Sequence, residues 1–206
     1  MDSVGKEIYN VYEKIAEAYD SALWNDMPYN NQINFFLSLL NGKKILDIGC
    51  GIGSFTKYVA DKGYSIDGID FSPKMIEIAS KKVNNANFYI MDMTNITLTK
   101  KYDGLMIINS TIHIEKKYMK KTFQYFKKLL NDNGIIFVIL QEGNGEHYIE
   151  EPLDTSIKEF VNFYQESEIK SVFEQCNLEI IKMERIKDYS EFELGNNQLA
   201  FYLKEK

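Results

Sequence analysis

Three glycines at alternate positions, Gly49, Gly51 and Gly53, follow a short apolar run in the stretch KKILDIGCGIGSF. Without a Cβ the chain can turn sharply there, and a ligand can approach main-chain atoms that a side chain would block. The next segment, Ser54 to Ala60, reads as the start of a helix whose free N–H groups can face a polar or anionic group. A dinucleotide-binding turn, G-x-G-x-x-G, would need its third glycine where Ser54 stands, and the spacing is instead G-x-G-x-G. That departure points away from a pyrophosphate and toward a different nucleoside ligand, the plainer alternative being glycines that serve only a turn. Two acids bear on the choice. Asp70 lies 21 positions after Gly49, near the roughly 20 at which a carboxylate reaches the ribose hydroxyls and accepts a hydrogen bond from each. Asp92 closes the following apolar run, FYIMD.

For these groups to meet, a sheet must bring them to one edge. Five candidate strands, Lys44 to Ile48, Tyr64 to Ile69, Asn87 to Met91, Gly104 to Asn109 and Gly134 to Leu140, alternate with amphipathic segments. That alternation predicts an α/β fold, a parallel sheet with helices on both faces. It also places the glycine turn, Asp70 and Asp92 at the C-terminal ends of successive strands, the rim where open α/β sheets bind ligands. Ser72 followed by Pro73 reads as a helix N-cap and first residue, and Asn131 to Gly134 (NDNG) as a helix stop. Two helical patterns, Ile8 to Trp24 and Asn30 to Leu40, precede the first strand. After the fifth comes an insertion, Gln141 to Tyr164, polar and acidic at first and then helix-like. A helix near Glu166 to Cys176 leads to two strand-like runs, Leu178 to Arg185 and Asn197 to Leu203, with no convincing helix between them. This predicts an antiparallel hairpin appended to the parallel sheet. No repeat or linker divides the chain, so residues 1–206 read as one domain.

The 206 residues, 45% hydrophobic and 26% charged, are those of an ordinary globular protein. No apolar run approaches the roughly 18 residues of a membrane span, and MDSVGKEIYN carries no basic leader or apolar signal core. Cytoplasmic residence and no membrane partner are the expectations. Cys50 and Cys176 are far apart and lack metal-ligand spacing, so neither a disulfide framework nor a metal site is expected. The net charge of −6 argues against a nucleic-acid partner. The one basic stretch, Lys116 to Lys128, puts Met119, Phe123, Phe126 and Leu130 on one helical face and reads as a lysine-coated solvent face.

Taken together, ILDIGCGIGSFT, IDGIDFSPKMIEIA, FYIMDMTNI, YDGLMIINSTIHI, FKKLLNDNGIIFV and the N-terminal YEKIAEAYD resemble a class I S-adenosylmethionine-dependent methyltransferase of the small-molecule type, over essentially the whole chain. The resemblance implies a Rossmann-like fold: a seven-stranded, mostly parallel sheet in the order 3-2-1-4-5-7-6, the last strand antiparallel. It implies S-adenosylmethionine as cofactor, S-adenosylhomocysteine as product, no metal, and a small-molecule methyl acceptor. It assigns the methionine end to Gly49, Cys50, Gly51 and Gly53, with Asp47 supporting the ammonium group directly or through water. It further assigns the ribose to Asp70, the flanks of the adenine to Phe71 and Met75, its amino edge to Asp92 and the Met93 backbone, and the side of the methionine end to Asn109. Residues 1–40 would form a helical lid, bringing Tyr12 and Tyr19 over the cofactor, and 141–164 a possible substrate cover.

Methyl transfer from a sulfonium is an in-line displacement with a neutral leaving group, so positioning can supply much of the catalysis. A base is needed only where the acceptor is protonated. The candidates are His113, just after the fourth strand, then Glu115; His147, amid Glu146, Glu150, Glu151 and Asp154, reads as a solvent loop residue. Tyr12 and Tyr19, seven positions apart, share one helix face; either they close on the sulfonium, Tyr19 being the favoured contact beside Asp20, or that face packs on the sheet edge. The acceptor pocket would lie between this helix and the Gln141 to Tyr164 insertion, whose acidity suggests an amine or cationic acceptor. The alternatives are a nicotinamide-dependent oxidoreductase, which shares the ribose acid, and a non-catalytic protein that binds the same nucleoside. The oligomeric state is not encoded in any motif, and neither is the atom methylated.

Overall fold

The computed structural model describes residues 2–187 and 197–206. Helix α1 (Ser3–Leu23) and α2 (Asn30–Ser38) precede β1 (Lys44–Ile48), α3 (Ser54–Asp61), β2 (Ser65–Asp70), α4 (Pro73–Lys82), β3 (Asn87–Ile90) and β4 (Tyr102–Ile108). A 3-10 turn (Thr111–His113), α5 (Lys116–Lys127) and β5 (Leu130–Gln141) come next. A hairpin of β6 (Glu146–Glu151) and β7 (Asp154–Asn162), then α6 (Glu166–Gln175), β8 (Leu178–Ile186) and β9 (Gln198–Glu205) complete the chain.

Seven strands form one sheet in the order β3-β2-β1-β4-β5-β9-β8, the hairpin standing outside it. The first five run parallel, Ile45 pairing with both Ile66 and Gly104, whereas β9 is antiparallel to β5 and to β8. Counted without the hairpin, this is the expected 3-2-1-4-5-7-6 pattern. Successive side chains of a strand point to opposite faces, and the core divides accordingly. Leu46, Ile48, Leu105, Ile107, Ile136 and Val138 pack under α5 and α6. Ile45, Met106, Ile135, Phe137 and Tyr202 pack under α2 and α3. Both faces are dry, which is why the central strands read as unbroken apolar runs.

Ser72 Oγ accepts from the Met75 N–H at the start of α4, with Pro73 at the first helical position, as the sequence predicts. On α5, Met119, Phe123 and Phe126 are buried while Lys117, Lys120 and Lys121 face outward. The helix ends at Lys127, so Leu130, expected on its apolar face, belongs to β5 instead. Asn131 to Gly134 form an irregularity near the start of β5, with Asn133 at a positive φ, and the regular pairing with β4 resumes at Ile135.

The largest departure lies in Gln141 to Tyr164, whose second half is a strand. Ile157, Phe160, Val161 and Tyr164 recur at helical spacing, but β7 pairs along its length with β6, Tyr148 facing Phe160 and Ile149 facing Glu159. Glu159 to Asn162 are buried on both faces because α1 and the Thr111–His113 turn both pack on β7. Tertiary burial, not local periodicity, sets the conformation. The expectation of no helix between the closing strands falls on residues 188–196, outside the described residues.

Candidate functional site

The C-terminal rim of the sheet carries the site. Gly49 follows β1, Asp70 ends β2, Asp92 follows β3, Asn109 follows β4 and Gln141 ends β5. At the first turn the N–H groups of Gly49 and Cys50 both donate to the Ile69 carbonyl, at 2.8 and 3.0 Å. Gly49 has φ +75°, and a Cβ there would stand 2.3 Å from the Ser110 Cβ. Gly51 also has a positive φ, +51°, but a Cβ there would meet nothing within 4 Å, since Gly51 faces a cavity of about 140 Å³.

Asp70 binds the turn together. Its Oδ2 accepts from the Gly51 N–H at 3.0 Å and its Oδ1 from the Ser72 N–H at 2.9 Å. Burial pushes this carboxyl up to about 6, against the opposing pull of those amides. Asp70 lines the cavity together with Gly49, Gly51, Phe71, Met75, Asp92, Met93, Asn109, Tyr12, Tyr19, His113 and Glu115.

Three of the sequence candidates, Asp47, Cys50 and Gly53, lie outside that lining. Asp47 is buried in β1 and accepts from Thr56 Oγ1 of α3 at 2.6 Å, its carboxyl raised to about 7 by burial. It braces the helix behind the turn. Cys50 is buried, and its thiol is pushed well above its usual range by desolvation. Gly53 is the N-cap of α3 and sits against Ala79 of α4 and Phe88 of β3.

On the far wall, Asp92 Oδ1 accepts from the backbone and hydroxyl of Thr94, at 2.8 and 2.7 Å, while the residue still lines the cavity. Phe71 meets Tyr9 and Tyr12 ring to ring, at 6.0 and 6.4 Å. Met75 is fully buried with Ala16 and Ile52. Asn109 adopts the left-handed φ of +50°, a costly conformation for a non-glycine residue that tends to mark functional sites. Its Nδ2 donates to Tyr29 Oη at 2.9 Å, and its buried Oδ1 has no partner among the described residues.

Helix α1 covers the rim. Asp2 caps it by accepting from the Gly5 N–H at 2.8 Å. Glu13 accepts from Ser72 Oγ and the Lys74 N–H at the head of α4, and Asp20 pairs with Lys82 at its tail. Toward the hairpin, Glu7 accepts from Tyr148 Oη at 2.8 Å and Lys14 pairs with Asp154 at 2.9 Å. Tyr12 and Tyr19, ring centroids 6.1 Å apart, therefore face the site and not the sheet edge. Tyr12 Oη lies 2.8 Å from His113 Nε2, and His113 Nδ1 lies 2.8 Å from the Phe160 carbonyl. A carbonyl only accepts, so Nδ1 carries the proton and Nε2 accepts from Tyr12. Burial lowers His113 to about 4, so the ring is neutral at pH 7. Among the two base candidates that follow, Glu115 pairs with Lys117 at 2.7 Å on the cavity wall. His147 is exposed but lies in β6 and not in a loop; its Nε2 meets the Asn144 carbonyl and its ring the Phe163 ring at 5.9 Å, and it lines neither cavity.

A second cavity, about 150 Å³, adjoins the first and shares Tyr12, Tyr19, Ile108, Asn109 and His113 with it. Leu23, Tyr29, Phe55, Gln141, Glu151, Leu153 and Glu159 are among its other walls. It lies between α1 and the hairpin, where the sequence placed an acceptor pocket. Sequence reading passed over Gln141, Tyr29 and Glu159 as site residues. Glu159 was hidden because its segment reads as a helix, which scatters the facing of residues that a strand aligns.

Comparisons with known proteins agree with this architecture. A family model described as a methyltransferase domain matches residues 24–183. A Geobacillus sp. chain that carries a methyltransferase name is 27% identical over 165 residues, 74% of this chain and 66% of that one. The demethylmenaquinone methyltransferase of Tropheryma whipplei is 28% identical over 110 residues, 50% of this chain and 46% of that one. The chain thus spans about half to two thirds of the length of these curated relatives. Among solved structures, an S-adenosylmethionine-dependent methyltransferase of Clostridium acetobutylicum superposes with a TM-score of 0.71 at 18% identity, over 95% of this chain and 99% of that one. The 1,6-didemethyltoxoflavin-N1-methyltransferase of Burkholderia thailandensis, solved with bound 1,6-didemethyltoxoflavin and S-adenosylhomocysteine, superposes at 0.76 and 14% identity, over 98% and 88%. At these identities the likeness is one of fold.

Proposed function

The chain belongs to the methyltransferase-domain family, and from that premise we propose that it transfers a methyl group from S-adenosylmethionine to a small-molecule acceptor by in-line displacement. The observation that carries this reading is the adjacency of two cavities that share Tyr12, Tyr19, Asn109 and His113. One holds the cofactor and the other the acceptor, so a methyl group crossing their junction needs to travel only the length of a bond being made as another breaks.

In the cofactor cavity, Asp70 receives the ribose hydroxyls, and Gly49 and Gly51 let the methionine end lie against bare backbone. Phe71 and Met75 flank the adenine, with Asp92 and the Met93 backbone at its amino edge. Asp47, Cys50 and Gly53 act from behind by holding the turn. The unpartnered Asn109 Oδ1 offers an acceptor to the amino group of the methionine end. When bound, the cofactor supplies an electrophilic methyl on a positively charged sulfur. The residues of this chain bind, align and exclude water, with α1 acting as the lid that Tyr12 and Tyr19 seal. Family membership separates this reading from a nicotinamide-dependent oxidoreductase.

Calorimetric titration tests it: S-adenosylhomocysteine should bind and NAD should not. Transfer of labelled methyl to a metabolite fraction would then separate an enzyme from a protein that only binds the nucleoside. Binding of NAD with none of S-adenosylhomocysteine would refute the proposal.

A further inference from the structure

We propose that the second cavity receives a small basic amine, and that Glu159, with the Gln141 side-chain carbonyl of the same cavity wall, holds the ammonium group. The proposal rests on the methyltransferase reading and deepens it by naming the class of acceptor.

The walls carry three acids, Asp26, Glu151 and Glu159, and no Lys or Arg among the described residues. Two of the polar atoms are buried and have no hydrogen-bond partner among the described residues: Glu159 Oε2, on a residue 6% exposed, and Gln141 Oε1, on a residue 2% exposed. A third, Asn109 Oδ1, lies where the two cavities meet. All three are acceptors. Buried acceptors left unpaired are costly, and a ligand rich in donors relieves the cost. An ammonium offers three donors and a positive charge. A hydroxyl offers one, and a carboxylate or phosphate none. Aromatic walls from Tyr12, Tyr29 and Phe55 suit a cation equally well. The nearest group that could neutralise Glu159 is His113, whose Nε2 is 3.9 Å from Oε2, but that nitrogen carries no proton and already accepts from Tyr12. Glu151 is otherwise engaged, its Oε2 accepting from the N–H groups of Leu153 and Asp154 at 2.8 Å.

An ammonium cannot attack until it loses a proton. Burial places the Glu159 carboxyl at about 7, where it can act as acceptor near neutral pH. The N–H proton passes to the Glu159 carboxylate, and the freed lone pair forms the N–C bond as the C–S bond breaks. The electron pair stays on sulfur as a neutral thioether, and the product leaves as a methylated ammonium.

The test loads the protein with S-adenosylhomocysteine and titrates it calorimetrically with 2-phenylethylamine, 2-phenylethanol and phenylacetate, one scaffold with three head groups. The amine should bind about tenfold or more tighter than the alcohol, the cost of leaving buried acceptors unpaired, and the acid should not bind. Glu159→Gln should remove that preference and leave the affinity for S-adenosylhomocysteine unchanged. If Glu159→Gln fails to fold, Gln141→Met gives the same reading from the second unpaired acceptor. Equal binding of alcohol or acid, undiminished amine preference in the folded variant, or no amine binding to the loaded protein overturns the proposal. Failure of the wild-type protein to bind S-adenosylhomocysteine would instead strike the cofactor reading beneath it.

Discussion

Tyr12 Oη donates to His113 Nε2 at 2.8 Å, while the opposite ring nitrogen donates to the Phe160 carbonyl at 2.8 Å. One buried imidazole thus ties α1, the turn after β4 and the hairpin strand β7 into a single roof over both cavities. The same bond occupies the lone pair that a general base would use.

Tyr12→Phe removes the donor and leaves Nε2 buried without a partner. The expected cost is about 1–2 kcal/mol, read as a lower urea midpoint with an unchanged slope. A variant as stable as the parent would mean that the roof does not depend on this bond.

Protonation of His113 should also destabilise the fold. Its folded value, about 4, lies below the usual 6.5, so the unfolded chain takes up the proton first. The His113 contribution should be intact above pH 6.5 and decline as the pH falls from there toward 4. Ring ¹⁵N shifts at pH 7 should report a neutral, Nδ1-protonated tautomer. A His113 ring that titrates near 6.5 would contradict its burial.

Glu159→Gln should stabilise the protein at pH 8 and do little at pH 4.5. The carboxyl is raised from 4.5 to about 7 by burial, so the penalty for ionising it is absent below 4.5 and full above 7. The shift corresponds to a gain of at most about 3 kcal/mol. Denaturant unfolding at the two pH values decides it, and an equal effect at both would show that charge is not the cause.

The glycine turn offers a paired test. Gly49→Ala forces a Cβ to 2.3 Å from the Ser110 Cβ at φ +75° and should cost upwards of about 3 kcal/mol or prevent folding. Gly51→Ala meets open space, so it should fold, at about 1 kcal/mol for the strained φ, yet bind S-adenosylhomocysteine more weakly. Circular dichroism and calorimetry together distinguish the two. Equal behaviour would mean that the turn is not a ligand surface.

Asp70→Ala should abolish measurable binding of S-adenosylhomocysteine if the carboxylate takes the ribose hydroxyls. Because Asp70 also accepts from Gly51 and Ser72, some loss of thermal stability should accompany it. Asp70→Asn, which keeps an acceptor toward one of those amides, should be the more stable of the two and still bind weakly. Normal binding by either variant would mean that the ribose lies elsewhere.

The sequence by itself determined the sheet and the rim. Period-two and unbroken apolar runs name the strands because each must bury one or both faces, and a glycine turn with Asp70 and Asp92 marks the strand ends because backbone conformation is encoded locally; the order of the strands came from the family resemblance. Only the tertiary structure decided that the segment from Asp154 is a strand, since its helical periodicity yields to pairing with β6 and to α1 and the Thr111–His113 turn packing on it. It also decided which members of the motif face a ligand. Asp47 and Gly51 are four positions apart, yet one points into the core onto Thr56 and the other into the cavity. The oxygens of Gln141 and Glu159, unpaired among the described residues, line one cavity from strands that sequence alone could not bring together, because long-range contacts carry no local pattern.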